Sequence, residues 1–411
     1  MKMENTSMDK RRPVRMCIMT TVPITLIFFY GKQIDFLKEK GFDITVITSP
    51  DNFLDKRISK NCRLVLIPMV RGISPSRDLV SLGKVFSELK KGHFDIIQYC
   101  TPKAALLGSI SACILRIPVR LYLMWGLYYS GQGGILRFIM KLIEKIICIC
   151  STHISPDSKG NRDFAVKERL CPGDKISVVG EGSANGVDLD NFNPERLKQT
   201  GVDIRKKWGI PEKAFVLGFV GRLRRDKGIN ELVLAFNNLV SKYPHMYLLL
   251  VGPQEVGTRE YMDEVRIAIQ TNKQIVCVGY QEKPEEFIAA MDVFVLPSYR
   301  EGFGVVNVEA SAMGIPVIST DIPGPKDSVI SNQTGFLVPV KSVQCLIREI
   351  EKLIEDEGLC KRMGDAGREW AKSFEQRNHW RRIFQHRLQL LFRTGYISYD
   401  KKNDKLFAEV K

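Results

Sequence analysis

Residues 297–313 of this 411-residue chain read PSYREGFGVVNVEASAM and predict the end of a strand, a tight loop and a helix. Val293–Leu296 is a short apolar run, Glu301–Gly304 has turn composition, and apolar residues then recur at helical spacing. Two glycines let the backbone approach a ligand closely, and free amides at the helix start favour an anion. Glu301 and Glu309 bracket that anion site. A helix N-terminus whose dipole is offset by acids is the alternative interpretation.

The composition is that of a globular protein with two or three domains. Hydrophobic residues make up 44% and charged residues 26% of the chain. The net charge of +15 is uneven, because residues 1–200 carry +11 and residues 201–411 carry +4. A nucleic acid, an anionic membrane surface or a phosphate-bearing substrate would each suit the basic half.

The cysteines and the N-terminus argue against secretion. Ten cysteines occur without a Cys-x-x-Cys motif, which indicates reduced thiols and no zinc site. Lys10–Arg15 followed by Met16–Gly31 resembles a signal peptide. Three threonines and a proline interrupt the apolar stretch, so a buried strand and helix are predicted instead. No segment reaches the ~18 apolar residues of a membrane-spanning helix.

Short apolar runs alternate with helical patterns along both halves of the chain. This repetition predicts an α/β fold with two Rossmann-like, doubly wound parallel sheets facing a central cleft. One long helix is predicted over Leu26–Lys40. The predicted organisation is a flexible tail at 1–13, an N-terminal Rossmann-like domain at 14–190, a linker at 191–212, a C-terminal Rossmann-like domain at 213–375, a C-terminal helix at 376–396 that returns to the N-terminal domain, and a charged tail at 397–411.

The helix predicted over Ile135–Cys150 is apolar nearly all round. Its charged residues, Arg137, Lys141, Glu144 and Lys145, fall on one stripe. A narrow cationic stripe on an apolar helix suits a membrane surface. An interior helix with one edge in water is the other interpretation, and it is slightly favoured.

A second loop, Val220–Gly228, follows the first strand of the second half. Gly221 permits the turn and Gly228 starts a helix, so Arg222 and Lys227 lie at the same sheet edge as Glu301 and could neutralise a diphosphate. A solvated basic loop is the alternative. Further glycine turns that suit the walls of a flat base pocket occur at Gly252 and before Tyr280.

Together these motifs resemble glycosyltransferase family 4, the retaining nucleotide-sugar transferases of the GT-B fold. Glu301-x7-Glu309 is the most specific match and Val220–Gly228 the second. Residues 101–108 (TPKAALLG) and 182–188 (GSANGVD) are most similar to bacterial capsule and lipopolysaccharide transferases. The resemblance implies transfer of a hexose or N-acetylhexosamine from a UDP-sugar to a polyprenyl-diphosphate-linked saccharide. The pathway implied is capsule, O-antigen or exopolysaccharide synthesis. The protein would lie in the cytoplasm, peripherally on the inner face of the cytoplasmic membrane.

The resemblance implies acceptor binding by the domain at 14–190 and nucleotide-sugar donor binding by the domain at 213–375. It also implies roles for individual residues. Arg222 and Lys227 would bind the donor diphosphate together with the amides of the Gly302–Val305 segment, which includes Phe303 and Gly304. Glu309 would bind the ribose, and Glu301 would lie at the transferred sugar. Cations and amides then face the leaving group and a carboxylate faces the developing sugar cation, so no metal or cofactor is required.

The first domain departs from the family pattern at two positions. Trp125 stands before Gly126, and Cys100 before Thr101, where many relatives have histidine. Trp125 can stack on a sugar but cannot transfer a proton. We therefore expect a front-face retaining mechanism in which the leaving phosphate takes the acceptor proton. Lys103, if it is not simply solvated, is predicted to meet the lipid-side phosphate. Thr101, Trp125 and Asn185 are further acceptor or sugar candidates.

Two other classes of function remain open at this stage. A nucleotide-sugar epimerase or hydrolase shares the architecture, but it needs acid and base side chains that the motifs do not contain. A nucleic-acid-binding protein would fit the charge alone. The basic residues lack interleaved aromatics and a recognisable module, so no nucleic-acid partner is expected.

Overall fold

A computed structural model describes residues 11–51, 62–70, 72–131, 133–254, 261–395, 397–401 and 403–409. The chain divides into two compact units. Unit 1 contains the described residues up to Asp157, Asn161–Gly180 and the described residues from Asn378 onward. Unit 2 contains Ser158–Gly160 and Glu181–Arg377.

The first part of the chain alternates strands and helices. Its elements are β1 (Arg11–Arg12), β2 (Val14–Met19), α1 (Pro23–Phe29), α2 (Gly31–Glu39), β3 (Phe42–Thr48), β4 (Arg63–Leu66), α3 (Pro75–Gly92), β5 (Ile96–Tyr99), α4 (Pro102–Ile114), β6 (Val119–Met124), α5 (Gly134–Cys150), β7 (His153–Pro156) and α6 (Lys159–Lys167).

The alternation restarts in unit 2. The elements there are α7 (Pro194–Lys207), β8 (Phe215–Val220), α8 (Ile229–Val240), β9 (Met246–Val251), α9 (Asp263–Thr271), β10 (Ile275–Gly279), α10 (Pro284–Ile288), β11 (Val293–Leu296), α11 (Val305–Ala312), β12 (Val317–Thr320), α12 (Pro325–Ser328), β13 (Gly335–Val338), α13 (Val343–Glu355) and α14 (Glu357–Ala371). The chain ends with α15 (Gln376–Phe392), β14 (Ile397–Asp400) and β15 (Lys405–Glu409).

Each unit contains a six-stranded parallel sheet with the same topology. The orders are β4-β3-β2-β5-β6-β7 in unit 1 and β10-β9-β8-β11-β12-β13 in unit 2. Counted from the first strand of each sheet, both orders are 3-2-1-4-5-6, the doubly wound Rossmann arrangement. The prediction of two Rossmann-like parallel sheets is confirmed. In such sheets, ligands bind outside the carboxyl ends of the strands where the order reverses, here at β2/β5 and β8/β11.

Strand β2 shows why the sheet of unit 1 is covered on both faces. Met16 and Ile18 belong to one apolar cluster, and Cys17 and Met19 belong to the other. Because successive side chains of a strand point to opposite faces, a strand that is apolar throughout needs helices on both sides. All ten cysteines of the chain are free thiols.

Three predicted boundaries differ from the structure. The helix predicted over Leu26–Lys40 is divided into α1 and α2 at Tyr30, whose φ of −120° leaves the helical range. The predicted linker contains α7, which starts with Asn193 accepting a hydrogen bond from the Arg196 amide at 3.1 Å. Asparagine at the N-cap followed by proline is a helix-start signal.

The residues expected to form tails contribute strands. β14 and β15 form an antiparallel hairpin, and β15 also pairs with β1. Residues 1–10 of the predicted N-terminal tail lie outside the described residues. The hairpin is held by long-range bonds, such as the Leu406 amide to the Lys40 carbonyl at 2.9 Å, that no local sequence pattern reveals.

From Asn378 onward, α15 packs within unit 1 through buried polar side chains. Arg387 is 3% exposed and donates from Nε and Nη2 to Gln98 Oε1, at 2.8 and 2.5 Å. Ser177 Oγ lies 2.8 Å from His153 Nε2 and 3.2 Å from His386 Nε2. Burial lowers the pKa of His153 to about 4 and that of His386 to about 3. Both imidazoles are therefore neutral at pH 7.

Candidate functional site

The two loops predicted to bind an anion follow the two strands at the switch point of unit 2. β8 ends at Val220 and β11 ends at Leu296, and the strands pair directly through Val293 and Leu217. Gly228 has a φ of +73°, and a Cβ built on it would lie 2.1 Å from the Pro297 carbonyl oxygen. Only glycine allows this contact between the two backbones. The parallel sheet thus joins loops that are some 70 residues apart in sequence.

Lys227 and Glu301 meet across these loops. Lys227 Nζ lies 2.5 Å from Glu301 Oε1, and the two side chains are 18% and 15% exposed. Ser298 Oγ also donates to Glu301 Oε1, at 2.9 Å. Lys227 and Glu301, which the sequence analysis assigned to the same ligand, are therefore direct neighbours.

Strand ends β8, β9 and β10 form the neighbouring wall. The Gly221 amide donates to the Val251 carbonyl at 2.9 Å, and the Gly252 amide donates to the Gly279 carbonyl at 2.8 Å. A Cβ on Gly252 would lie 1.8 Å from the Gly221 carbonyl oxygen, so these strand ends need glycine. Tyr280 follows with 50% of its surface exposed, and Arg222 is exposed in the first loop. Closely spaced glycine backbone therefore forms these strand ends, and Tyr280 and Arg222 are exposed in the segments that follow β10 and β8.

Helix α11 begins directly after the Glu301 loop. Gly304 precedes its first residue with a φ of +78°. The amides of Phe303, Gly304 and Val305 donate to no acceptor within the described ranges. The Phe303 side chain is buried, with its ring centroid 5.2 Å from that of Phe374, so only its backbone can serve a ligand. Three successive free amides at a helix start form an anion-binding cradle.

Glu309 lies one turn into this helix and is partly exposed. Its carboxylate has no hydrogen-bond partner in the part of the chain that the structure describes. Burial, and secondly the charge of Glu285, raises the pKa of Glu309 to about 7. Sequence reasoning did not identify Glu285, since the spacing of 24 residues follows no motif. An unpartnered carboxylate with a raised pKa is a group that gains from hydroxyl donors.

The candidate residues near the switch point of unit 1, Thr101 and Lys103, are bonded to other side chains of the protein. Thr101 has a φ of +67°, and its Oγ1 lies 2.8 Å from Thr21 Oγ1 and accepts from the Thr21 amide at 2.9 Å. Lys103 is 9% exposed and forms an ion pair with Asp78. Lys103 is therefore not a solvated lysine. A phosphate there would have to share it with a carboxylate 25 residues away in sequence.

Trp125 and Asn185 occupy different surroundings. Trp125 is half-buried beside Phe29, with ring centroids 4.8 Å apart, and beside Tyr30 at 5.7 Å. Asn185 belongs to unit 2 rather than to the predicted N-terminal domain. It lies in a turn closed by the Gly186 amide, which donates to Ser183 Oγ at 3.1 Å.

The structure corrects the interpretation of α5 as an interior helix. Six of its apolar side chains are exposed, Ile135 by 79% and Phe138 by 70% among them. Glu144 points inward instead of joining the charged stripe. It is 3% exposed and accepts from Tyr122 Oη at 2.8 Å. Burial raises the pKa of Glu144 to about 7. Helical spacing predicted the stripe but not the inward side of the helix, because a buried tyrosine determines where Glu144 lies.

Comparison with known proteins identifies the family. The model of the glycosyl transferases group 1 matches residues 202–370, and that of the glycosyl transferase 4-like proteins matches residues 25–155. A capsular polysaccharide biosynthesis glycosyltransferase, CapM of Staphylococcus aureus, is 36% identical over 82% of this chain and 87% of its own. The chain belongs to the group 1 glycosyltransferases. It is an enzyme of this family, and the family resemblance seen in Glu301-x7-Glu309 is confirmed.

A further relative and two solved structures are also similar to this chain. A UDP-Gal:alpha-D-GlcNAc-diphosphoundecaprenol alpha-1,3-galactosyltransferase of Escherichia coli is 28% identical over 80% of this chain and 84% of its own. Anabaena HepE, solved with UDP, superposes with a TM-score of 0.74 at 18% identity, covering 92% of this chain and all of its own. The lipopolysaccharide glycosyltransferase WaaG gives a TM-score of 0.65 at 18% identity. These neighbours confirm the GT-B fold.

In the described ranges, no three His, Cys, Asp or Glu side chains are grouped so that they could hold a metal ion. Nor does any helix there combine the length and the apolar character needed to cross a bilayer.

Proposed function

We propose that this glycosyltransferase moves a hexose or N-acetylhexosamine from a nucleotide diphosphate donor, which we take to be a UDP-sugar. The transfer would retain the anomeric configuration of the sugar. The acceptor would be a polyprenyl-diphosphate-linked saccharide in capsule, O-antigen or exopolysaccharide synthesis. The observation that carries the proposal is the contact of Lys227 with Glu301 beside the free amides at the start of α11. CapM and the Escherichia coli galactosyltransferase support the pathway and the acceptor class.

The charges suit glycosyl transfer from a diphosphate. Negative charge develops on the leaving diphosphate, where Arg222, Lys227 and the amides of Phe303 to Val305 would stabilise it. Positive charge develops at the anomeric carbon, where Glu301 would lie. Glu309 would accept hydrogen bonds from the ribose hydroxyls. Binding of the diphosphate in this proposal uses fixed cations and backbone amides and calls for no metal ion or cofactor.

Proton transfer is assigned to the donor itself. Trp125 and Cys100 stand where the resemblance to family 4 implies histidine, and neither side chain is a base at neutral pH. Burial raises the pKa of the Cys100 thiol far above neutrality. The acceptor hydroxyl would therefore pass its proton to the leaving phosphate oxygen on the same face of the sugar, which retains the anomeric configuration.

A transfer assay tests this proposal. The purified protein is incubated with a panel of nucleotide sugars and a polyprenyl-diphosphate disaccharide, and the product linkage is determined by NMR. We expect one donor to give a lengthened lipid-linked product with the anomeric configuration of the donor. An inverted linkage contradicts the mechanism. Epimerised or hydrolysed donor without transfer would favour the epimerase or hydrolase alternative, and no turnover of any donor contradicts the proposal.

We further propose that α5 binds the anionic face of the cytoplasmic membrane, where the acceptor lipid resides. Its exposed side chains Ile135, Phe138 and Leu142 recur every three to four residues and form one apolar face. Lys145 is exposed on the same helix. Lys141 forms an ion pair with Glu168, with its Nζ 2.6 Å from Glu168 Oε2. Apolar side chains flanked by lysines are typical of helices that lie in the interface of a bilayer.

Liposome sedimentation tests the membrane proposal. Vesicles containing anionic lipid should bind the protein, and binding should weaken as salt is raised. Phe138→Ser should reduce binding about 30-fold, because a buried phenylalanine contributes ~2 kcal/mol. Leu79→Ser is the matched control, since Leu79 is 70% exposed on α3 of the same unit. Equal loss in both variants, or no binding to anionic vesicles, contradicts the proposal.

A further inference from the structure

Asp226 is connected to both residues that precede Glu301. Its Oδ2 accepts from Arg300 Nη2 at 3.0 Å, and its backbone carbonyl accepts from the Tyr299 amide at 2.9 Å. Its other carboxylate oxygen lies 3.4 Å from Arg224 Nε. One aspartate thus joins the loop that carries Lys227 to the loop that carries Glu301.

A second connection supports the same junction. Tyr299 Oη donates to Glu231 Oε1 at 2.6 Å, and Glu231 lies in the first turn of α8, just after the Lys227 loop. The Asp226 and Arg300 side chains are 22% and 29% exposed, so solvent screens their attraction only in part. The junction is therefore built from side chains as well as from the backbone contact at Gly228.

We propose that Asp226, through its ion pair with Arg300, is a positioning residue that holds Lys227 against Glu301. Its catalytic consequence rests on the proposed transfer function, whereas its structural consequence does not. Asp226 directly precedes Lys227, and Arg300 directly precedes Glu301. A displacement of either partner therefore moves a residue assigned to the donor, and displacements of about 1 Å are costly in such sites.

The Asp226 charge has a second effect. Arg300 places a guanidinium next to the residue that is assigned to the sugar cation. Asp226 offsets this positive charge and draws it toward the Lys227 loop. When the Asp226 charge is removed, Arg300 becomes a competitor of Lys227 for the Glu301 carboxylate, because guanidinium pairs well with carboxylates.

The test uses Asp226→Asn and Arg300→Gln in the full chain, with Asp226→Glu as the conservative variant. Glu195→Gln is the matched control. Glu195 forms a closer pair with Arg368 in the same unit, with both bonds at 2.6 Å. Two quantities are measured: kcat/KM for the donor, and the rate at which an amine-acetylating reagent labels Lys227 relative to the exposed Lys242, followed by mass spectrometry.

We expect Asp226→Asn and Arg300→Gln each to lower kcat/KM about tenfold, the double variant to be no worse than either, and Asp226→Glu to recover part of the loss. Labelling of Lys227 should rise several-fold in the single variants and stay unchanged in Glu195→Gln. Unchanged labelling overturns the positioning role, even when kcat/KM falls. If wild-type protein transfers no sugar, the proposed function fails, and the labelling ratio still decides whether Asp226 positions Lys227.

Discussion

Donor binding should weaken as the pH falls through neutrality, because of Glu309. Burial and the nearby Glu285 raise the pKa of Glu309 to about 7. A carboxylate accepts two ribose hydroxyls, whereas the protonated acid offers one fewer acceptor and an unwanted donor. The donor therefore binds preferentially when Glu309 is ionised, and protonation of Glu309 competes with donor binding.

The size of the effect follows from the pKa. With a pKa of about 7, roughly 90% of Glu309 is ionised near pH 8 and roughly 10% near pH 6. If only the ionised form binds, the apparent Kd rises about tenfold between these pH values, which corresponds to ~1.4 kcal/mol. Glu285→Gln removes the second cause of the shift, so the midpoint should move to lower pH.

Isothermal titration with a nucleotide sugar measures this dependence. A nucleotide sugar is preferable to the free nucleoside diphosphate, whose terminal phosphate titrates in the same range. Glu309→Gln should bind more weakly near pH 8 and show no rise in Kd toward pH 6. A flat profile for the wild type, or the same slope in Glu309→Gln, refutes the role of Glu309.

The remaining predictions concern unit 1. Gln98→Leu should destabilise the protein by about 2 kcal/mol, because it leaves Arg387 buried without its acceptor. Adding Arg387→Met should recover part of this loss. Chemical denaturation measures the stability of both variants, and additive losses would contradict the pairing. His153 and His386 have folded pKa values of about 4 and 3, below the usual 6.5, so the unfolded chain binds protons first and stability is lost as the pH falls from about 6.5 to about 4. Relative to wild type, His386→Asn should reduce this loss of stability by about 1.4 kcal/mol per pH unit. The melting temperatures of both proteins are measured as a function of pH, and a parallel fall would contradict the prediction.

The sequence predicted both Rossmann-like sheets and the position of Lys227 and Glu301 at the same sheet edge. Strand ends of a parallel sheet lie at one edge, so residues just after β8 and β11 come together whatever the intervening chain does. The glycine turns at Gly221, Gly252 and Gly279 could also be predicted. Their left-handed or crowded backbones require glycine, and glycine is visible in the sequence.

Other features depend on contacts that local patterns do not encode. The Lys103–Asp78 pair, the inward turn of Glu144 toward Tyr122 and the Asp226–Arg300 pair each join separate elements. Helical spacing also suggested an interior position for α5. Its exposed apolar face became visible only when the surrounding helices were in place.

We propose a division of roles in which Glu301 serves the transferred sugar and Glu309 serves the nucleotide. Steady-state kinetics of Glu301→Gln and Glu309→Gln, with the donor varied in the transfer assay near pH 8, test it directly. We predict that Glu301→Gln lowers kcat about 100-fold with little change in the donor KM, whereas Glu309→Gln raises the donor KM about tenfold with little change in kcat. Matching changes of kcat and KM in the two variants would contradict this division of roles.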